Sequence, residues 1–378
     1  MRIISIEPTP SPNSMKINLD EALPKGSMRT YTKANTAMPV PFQSILEIPG
    51  VTSIFHTADF IAVDRHPKGD WQAILASIRS ILGSDEVQTS AVPESIDADS
   101  FGEASVLVQS FRSIPMQIRV RSGGEEVRRA MPERFVEAAM NAGNASPNLI
   151  KERKLEEIGI RYGELQEIAD QIVQELDATY DQTRLNELVK AAQSAGVDGT
   201  SEPAIRPELG SAEIERHLDD PDWKKRYAAL QQIKPSMERL PLLAKALNDP
   251  QASIRRLASV YIGDIREPEV LPYLYQALRD NSVSVRRTAG DTISDIGDPA
   301  AIDAMTESLR DSNKLVRWRA ARFLYETGDE RSLPALLEAA DDPEFEVRMQ
   351  VKLAIERIEG GVAAEGSVWQ QMTRRNDN

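Results

Sequence analysis

Between Ser211 and Ile358 the apolar positions keep step with a recurring aspartate. Asp220, Asp249, Asp280, Asp311 and Asp342 are separated by 29, 31, 31 and 31 residues. Six residues before each stands Ile214, Leu243, Leu274, Met305 or Leu336, and two before stands Leu218, Leu247, Leu278, Leu309 or Ala340. Nine after comes Ala229, Ala258, Ala289, Ala320 or Val351, and four copies carry Ile254, Val285, Val316 or Val347 five after. Spacings of three, four and seven put these residues on single helix faces. Each copy therefore predicts a first helix, a short turn that the Asp ends, and a second helix beginning just beyond it. Neither helix buries its stripe alone, so successive pairs must stack into a solenoid of five helical hairpins over 211–358. The Asp carboxylate is expected to cap the second helix, with Pro221, Pro250 and Pro343 at its first position.

Six residues after each Asp comes an arginine: Arg226, Arg255, Arg286, Arg317 and Arg348. From one and a half turns into the second helix it reaches a turn carboxylate, its own or its neighbour's. The expected role is structural, a ladder that fixes register between repeats.

Before the repeats the period changes. Arg2–Glu7, Met15–Leu19, Val51–Phe55 and Phe60–Asp64 read as strands, the last two joined by a turn at His56–Asp59. Pro39–Glu47 reads as a short helix, and Asp70 caps another whose Trp71, Ile74, Leu75 and Ile78 share a face. This predicts a small α+β domain over 1–83. An acidic linker, 84–104, follows: Asp85–Glu103 holds six carboxylates and no Lys or Arg. The middle segment, 105–193, predicts strands Val106–Phe111 and Met116–Arg121, a turn at Ser122-Gly123-Gly124, and helices Glu133–Asn141, Lys151–Ile158 and Tyr162–Tyr180 running on toward Ala192. A second linker covers 194–210, and 359–378 reads as a flexible tail. The chain is thus expected to be multidomain: N-terminal α+β, mixed α+β middle, C-terminal all-α solenoid.

Composition narrows the chemistry. The 378 residues carry 45 Lys+Arg against 59 Asp+Glu, a net charge of −14, with 3 His and no Cys. Without cysteine there are no disulfides, thiolate metal sites or cysteine nucleophiles. No apolar run reaches the ~18–20 residues of a membrane span, and the first residues lack an export signal, so a cytoplasmic location is expected. No nucleophile–base constellation, P-loop or HExxH motif occurs, so the expectation is a protein that is no enzyme and needs no cofactor or metal. His56, Asp59, Asp64 and His66 fall near one hairpin end, where surface histidines are the expectation over a metal site. His217 has no evident partner.

Three resemblances follow from these motifs. The repeats, with Asp-Pro-x-x-x-Ile-Arg at Asp249–Arg255, resemble short HEAT-like repeats of the kind also found in phycobilin-lyase-like proteins. Thr9–Lys16, Ile48-Pro49-Gly50-Val51, Ala58–Val63 and Asp70-Trp71 resemble the N-terminal domain of Nfu/NifU iron–sulfur scaffold proteins. That family holds its cluster on a Cys-x-x-Cys absent from this chain, so only a docking role carries over. With Phe111–Gln117 and Arg161-Tyr162-Gly163 between them, the order resembles the conserved virulence factor C family. The resemblance implies a regulatory or partner-binding protein affecting virulence-factor output.

The leading expectation is a non-enzymatic adaptor that binds protein on the concave face of the repeats. Arg256, Arg287, Trp318, Arg319 and Arg322 are the partner-binding candidates, and reversing the charge of Arg256, Arg287 and Arg319 is expected to spare stability. One alternative is an accessory factor in iron–sulfur assembly or metal delivery, meeting assembly proteins through the N-terminal domain. Another is nucleic-acid binding through the same arginines, against which the repeat block's 22 Lys+Arg and 26 Asp+Glu weigh.

Overall fold

Hairpin turns and helix caps divide the chain into three cored units. The computed structural model describes residues 1–9, 11, 13–24, 27–35, 38–66, 69–83, 103–122, 125–144, 152–195 and 210–361, and the counts below refer to these. The acidic stretch, Gly123-Gly124, most of the second linker and the tail from 362 lie outside the described residues.

The first unit is a five-stranded antiparallel sheet with two helices. Its strands are β1 (Ile3–Pro8), β2 (Ser14–Leu19), β3 (Met28–Thr32), β4 (Val51–Thr57) and β5 (Phe60–Arg65), ordered β1-β2-β5-β4-β3. In β2 and β5 every second side chain is buried, so Ile17, Ile61 and Val63 meet Phe42 and Ile45 of α1 (Val40–Glu47) and Trp71, Ile74 and Ile78 of α2 (Trp71–Leu82). The Asp70 side chain accepts the Gln72 N–H at 2.9 Å and caps α2. Gly50 has φ +94°, and a side chain there would press on the Gly69 backbone 3.0 Å away.

The second unit holds β6 (Glu103–Phe111), β7 (Ile114–Ser122), β8 (Glu125–Ala130), α3 (Glu133–Gly143), β9 (Arg153–Tyr162), α4 (Leu165–Thr179) and α5 (Gln182–Ser194), its antiparallel sheet ordered β8-β7-β6-β9. The helix expected over Lys151–Ile158 is strand β9 instead. Its pairing with β6, from Phe111↔Arg153 to Glu103↔Tyr162, outweighs a local composition of Lys, Glu and Leu that favours helix. The helix expected from Tyr162 onward breaks at Tyr180, where Asp181 accepts the Arg184 N–H at 2.7 Å and starts α5.

The third unit is five helical hairpins. First helices α6 (Ser211–Leu218), α8 (Leu240–Ala246), α10 (Leu271–Leu278), α12 (Ile302–Ser308) and α14 (Leu333–Glu338) alternate with second helices α7 (Trp223–Leu230), α9 (Ala252–Asp264), α11 (Val283–Ile296), α13 (Lys314–Thr327) and α15 (Phe345–Glu359). The columns at Leu243, Leu274 and Leu336, and at Ala258, Ala289 and Val351, are fully buried in one continuous core. Gly263 lets α9 approach α11, since a Cβ there would lie 1.9 Å from the Thr292 methyl.

The aspartates act slightly earlier than expected. Each Oδ1 accepts the N–H two residues on, from Asp222, Gln251, Ser282, Asn313 or Glu344 at 2.7–2.9 Å. Those residues, rather than the Asp, are the N-caps. The prolines therefore stand just outside the helix, inside a side-chain-closed turn. Each arginine reaches forward to the following repeat: Arg226 to Asp249, Arg255 to Asp280, Arg286 to Asp311 and Arg317 to Asp342. In each pair Nε donates to Oδ2 at 2.7 Å and Nη2 to Oδ1 at 2.9–3.0 Å. Nη1 turns back to the carbonyl of its own repeat's Asp at 2.8–3.0 Å. Arg348 makes that backward bond to Asp342 at 2.6 Å, while Asp220 takes Lys225 at 3.4 Å.

Burial alone would raise the Asp280 carboxyl, but hydrogen bonds from Arg255 and the Ser282 N–H hold it below its ordinary 3.8. A depressed carboxylate stabilises the fold above its unfolded pKa, and that contribution is lost as pH falls through the folded value. Arg255→Gln should cost about 2–3 kcal/mol in urea unfolding at neutral pH. Its deficit against the parent should shrink below roughly pH 4; a deficit independent of pH would refute the assignment.

Candidate functional site

The second helices form the inner face of the repeat stack. Seven residues after each ladder Asp, this face carries Tyr227, Arg256, Arg287, Trp318 and Met349. The column expected to meet an outside partner is buried within the chain: Arg256, Arg287, Trp318 and Arg322 are only 4–7% exposed, and Arg319 is half-buried. Reversing Arg256 or Arg287 would therefore strand a buried charge, contrary to the expectation that stability is spared. The same burial removes these arginines as an open track for a phosphate backbone.

Two units of the chain cover the inner face. Over the first three repeats lies the middle unit. Glu175, from the buried stripe of α4, accepts from Arg256 Nη2 at 2.9 Å and lies 3.8 Å from Arg161 Nη2 of β9. Arg287 Nη1 donates to the Tyr162 carbonyl at 3.0 Å, and its guanidinium stacks 3.7 Å over the Tyr162 ring. Asp177 holds both Arg134 of α3, at 2.6 Å, and Lys224 of α7. At the far end α2 meets α15: Phe345 and Met349 pack on the core of the first unit, and Arg65, 4% exposed, pairs with Glu346 at 2.7 Å. Along α11 and α13, Asp291 pairs with Arg319 at 2.7 Å and Arg287 at 3.5 Å, and Arg322 pairs with Glu326 at 2.6 Å.

A cavity of about 280 Å³ opens where the middle unit meets repeats two and three, lined by Arg161, Tyr162, Arg256, Arg287, Thr288 and Asp291 among others. Burial pushes Arg287 down to about 10 against the opposing pull of Asp291, and burial, then Arg256, lowers Arg161. Burial, then Glu175, pushes the Tyr227 hydroxyl up.

Sequence reasoning missed Arg65, Arg161, Tyr162, Glu175 and Glu346. Glu175 left a trace, since it continues the Ile168–Ile172 stripe of α4 as a lone charge. The others carry no periodic signal. The histidine near the first hairpin is also revised. His56 is 4% exposed, its ring edge-on to Phe42 with centroids 5.0 Å apart, so it is a core residue. Asp64 accepts from the Ser53 hydroxyl at 2.5 Å. Among the described residues no three His, Asp or Glu side chains are grouped to hold a metal ion, and no helix is long and apolar enough to cross a membrane.

Known proteins resemble this chain throughout its length. The family described as scaffold protein Nfu/NifU N terminal matches residues 4–87, the virulence factor family matches 109–189, and HEAT repeats match 212–290 and 273–356. Uncharacterized protein YpgR of Bacillus subtilis is 54% identical over 374 residues, spanning 99% of this chain and 98% of that protein. Conserved virulence factor C of Staphylococcus aureus (strain NCTC 8325) is 47% identical over 376 residues, spanning 99% and 100%. The crystal structure of protein SAV1430 from S. aureus, 41% identical, covers 21% of this chain and 98% of that one, with a TM-score of 0.21.

Two outcomes test these assignments. Glu175→Ala should destabilise the chain by about 3 kcal/mol by leaving Arg256 buried and unpaired, and Glu175→Leu with Arg256→Met should recover most of it in urea unfolding. Burial, then the Arg29 guanidinium, push His56 below its ordinary 6.5. A histidine held neutral in this way stabilises above its unfolded pKa and ceases to as pH falls. Stability should therefore drop between roughly pH 7 and 5, and His56→Phe should flatten that slope.

Proposed function

The chain belongs to the conserved virulence factor C family, and from that premise we propose that it is a cytoplasmic, non-enzymatic adaptor whose HEAT repeats hold protein rather than transform a substrate. The observation that carries this reading is the use already made of the inner face. It grips two folded units of its own chain through the buried pairs Arg256–Glu175 and Arg65–Glu346. A surface built to hold protein in this way presents those units in one fixed arrangement.

The partner-binding surface then moves from the repeat arginines to the middle unit. β9 is the outer strand of its sheet, and on the half that precedes its contact with the repeats Leu155 and Ile158 are 40 and 48% exposed. An uncovered edge strand offers backbone donors and acceptors to an added strand, and apolar side chains supply affinity. Arg153 and Lys154 followed by Glu156 and Glu157 favour an extended partner segment of the opposite charge order. A second reading keeps the N-terminal unit as a docking module for iron–sulfur assembly proteins. It is favoured by Met28 and Val40, exposed on that unit at 69 and 76%.

Affinity capture from the native host, with the full chain as bait, tests both. Leu155→Lys with Ile158→Lys should abolish capture of the specific partner while thermal unfolding stays unchanged. Undiminished capture by that variant, with loss in Met28→Glu/Val40→Glu, would transfer the role to the N-terminal unit.

A further inference from the structure

The cavity between the middle unit and the repeats has more cations than its carboxylates serve. At its inner end lie Arg161, Arg256 and Arg287, with Arg319 behind. Glu175 and Asp291 are the carboxylates within 4 Å of these four guanidinium groups, and each is shared, while Asp295 and Glu326 act on Arg319 from further off. Glu175 takes Arg256 at 2.9 Å and stands 3.8 Å from Arg161, while Asp291 takes Arg319 at 2.7 Å and Arg287 at 3.5 Å. Arg266, Asp264 and Asp295 lie toward the exposed mouth and add one cation and two acids there. Arg322 pairs with Glu326 beside this cluster, and Glu326 also faces Arg319.

Hydrogen-bond donors in the same cluster are also left over. Arg256 is 6% exposed, yet its buried Nε has no acceptor, and the buried Nε of Arg161 also has none. A buried guanidinium N–H without an acceptor is costly, so native structures supply one from protein, water or ligand. Ser284, Thr288 and Thr292 add neutral hydroxyls to the same wall, and Ile168, Val260 and Ile296 add an apolar side.

We propose that this cavity binds a small dianion, a molecule bearing a phosphate or two carboxylate groups, seated on Arg161, Arg256 and Arg287. The cluster's surplus of positive charge suits an anion, and forked guanidinium groups suit planar or tetrahedral oxyanions. A cavity of about 280 Å³ leaves room for a short organic portion against Ile168 and Val260, and excludes a macromolecule. Because Arg161 belongs to the middle unit and Arg256 and Arg287 to the repeats, the bound dianion joins the two units. It therefore stabilises the docked arrangement in proportion to its saturation.

Titration of the full-length protein with inorganic phosphate, and separately with succinate, tests this by calorimetry at constant ionic strength against a chloride control. One saturable site is expected for at least one of the two, and the one that saturates identifies the oxyanion. Arg287→Gln and Arg161→Gln should each weaken it about tenfold or more. Arg161 is the safer substitution, since its side chain is 31% exposed; if Arg287→Gln fails to fold, Arg161→Gln decides. Absence of saturable binding for both dianions, or undiminished affinity in folded Arg161→Gln, overturns the proposal.

Discussion

A guanidinium fork that reaches forward while anchored to its own turn sets the geometry of the repeat stack. The first helices are only 6–8 residues long, well short of what stands alone in water. Their leucine columns supply attraction but tolerate sliding, because apolar contact is non-directional. The two parallel N–H···O bonds of each rung do not tolerate it. One aspartate closes its own turn with Oδ1 and receives the previous repeat with both oxygens, so local turn geometry and the step between repeats are the same constraint.

That register places the second-helix residues in line, and the line is what the other two units read. Arg256 and Arg287 meet Glu175 and Tyr162 because they are one repeat apart on one face. Met349 and Phe345, two repeats further, meet the core of the N-terminal unit. The inner face is therefore chemically uneven: an arginine cluster where the middle unit docks, and Phe345 and Met349 beside the single pair Arg65–Glu346 where the first unit docks. Its unevenness is specific to the two surfaces it holds.

The repeats were legible because five copies report the same environment, so periodicity carried both the helices and the rungs. The strand β9 was not legible. Leu155 and Ile158 stand three apart among Lys and Glu, which imitates a helix face, and only pairing with β6 decides otherwise. The edge strands β3 (Met28-Arg29-Thr30-Tyr31-Thr32) and β8 (Glu125–Ala130) escaped because they have little apolar alternation. The candidate site was legible in identity and wrong in exposure. Arginine at Arg256 and Arg287 was visible, but its burial depends on a glutamate 81 residues away in sequence for the first of them. His56 failed for the same reason, since its neighbour Phe42 lies on another element.

The rungs have a direction, and this bears on how such an array changes length over generations. A 31-residue unit cut from the middle presents an acceptor toward its predecessor and a donor toward its successor, so an in-frame duplication leaves no link unmade. The docked units impose the opposite rule. One added hairpin would carry α15 about 10 Å further from α9, and the N-terminal and middle units would no longer both reach their seats. The stack is modular as a polymer and fixed as a frame, and its copy number is set by what it has to span.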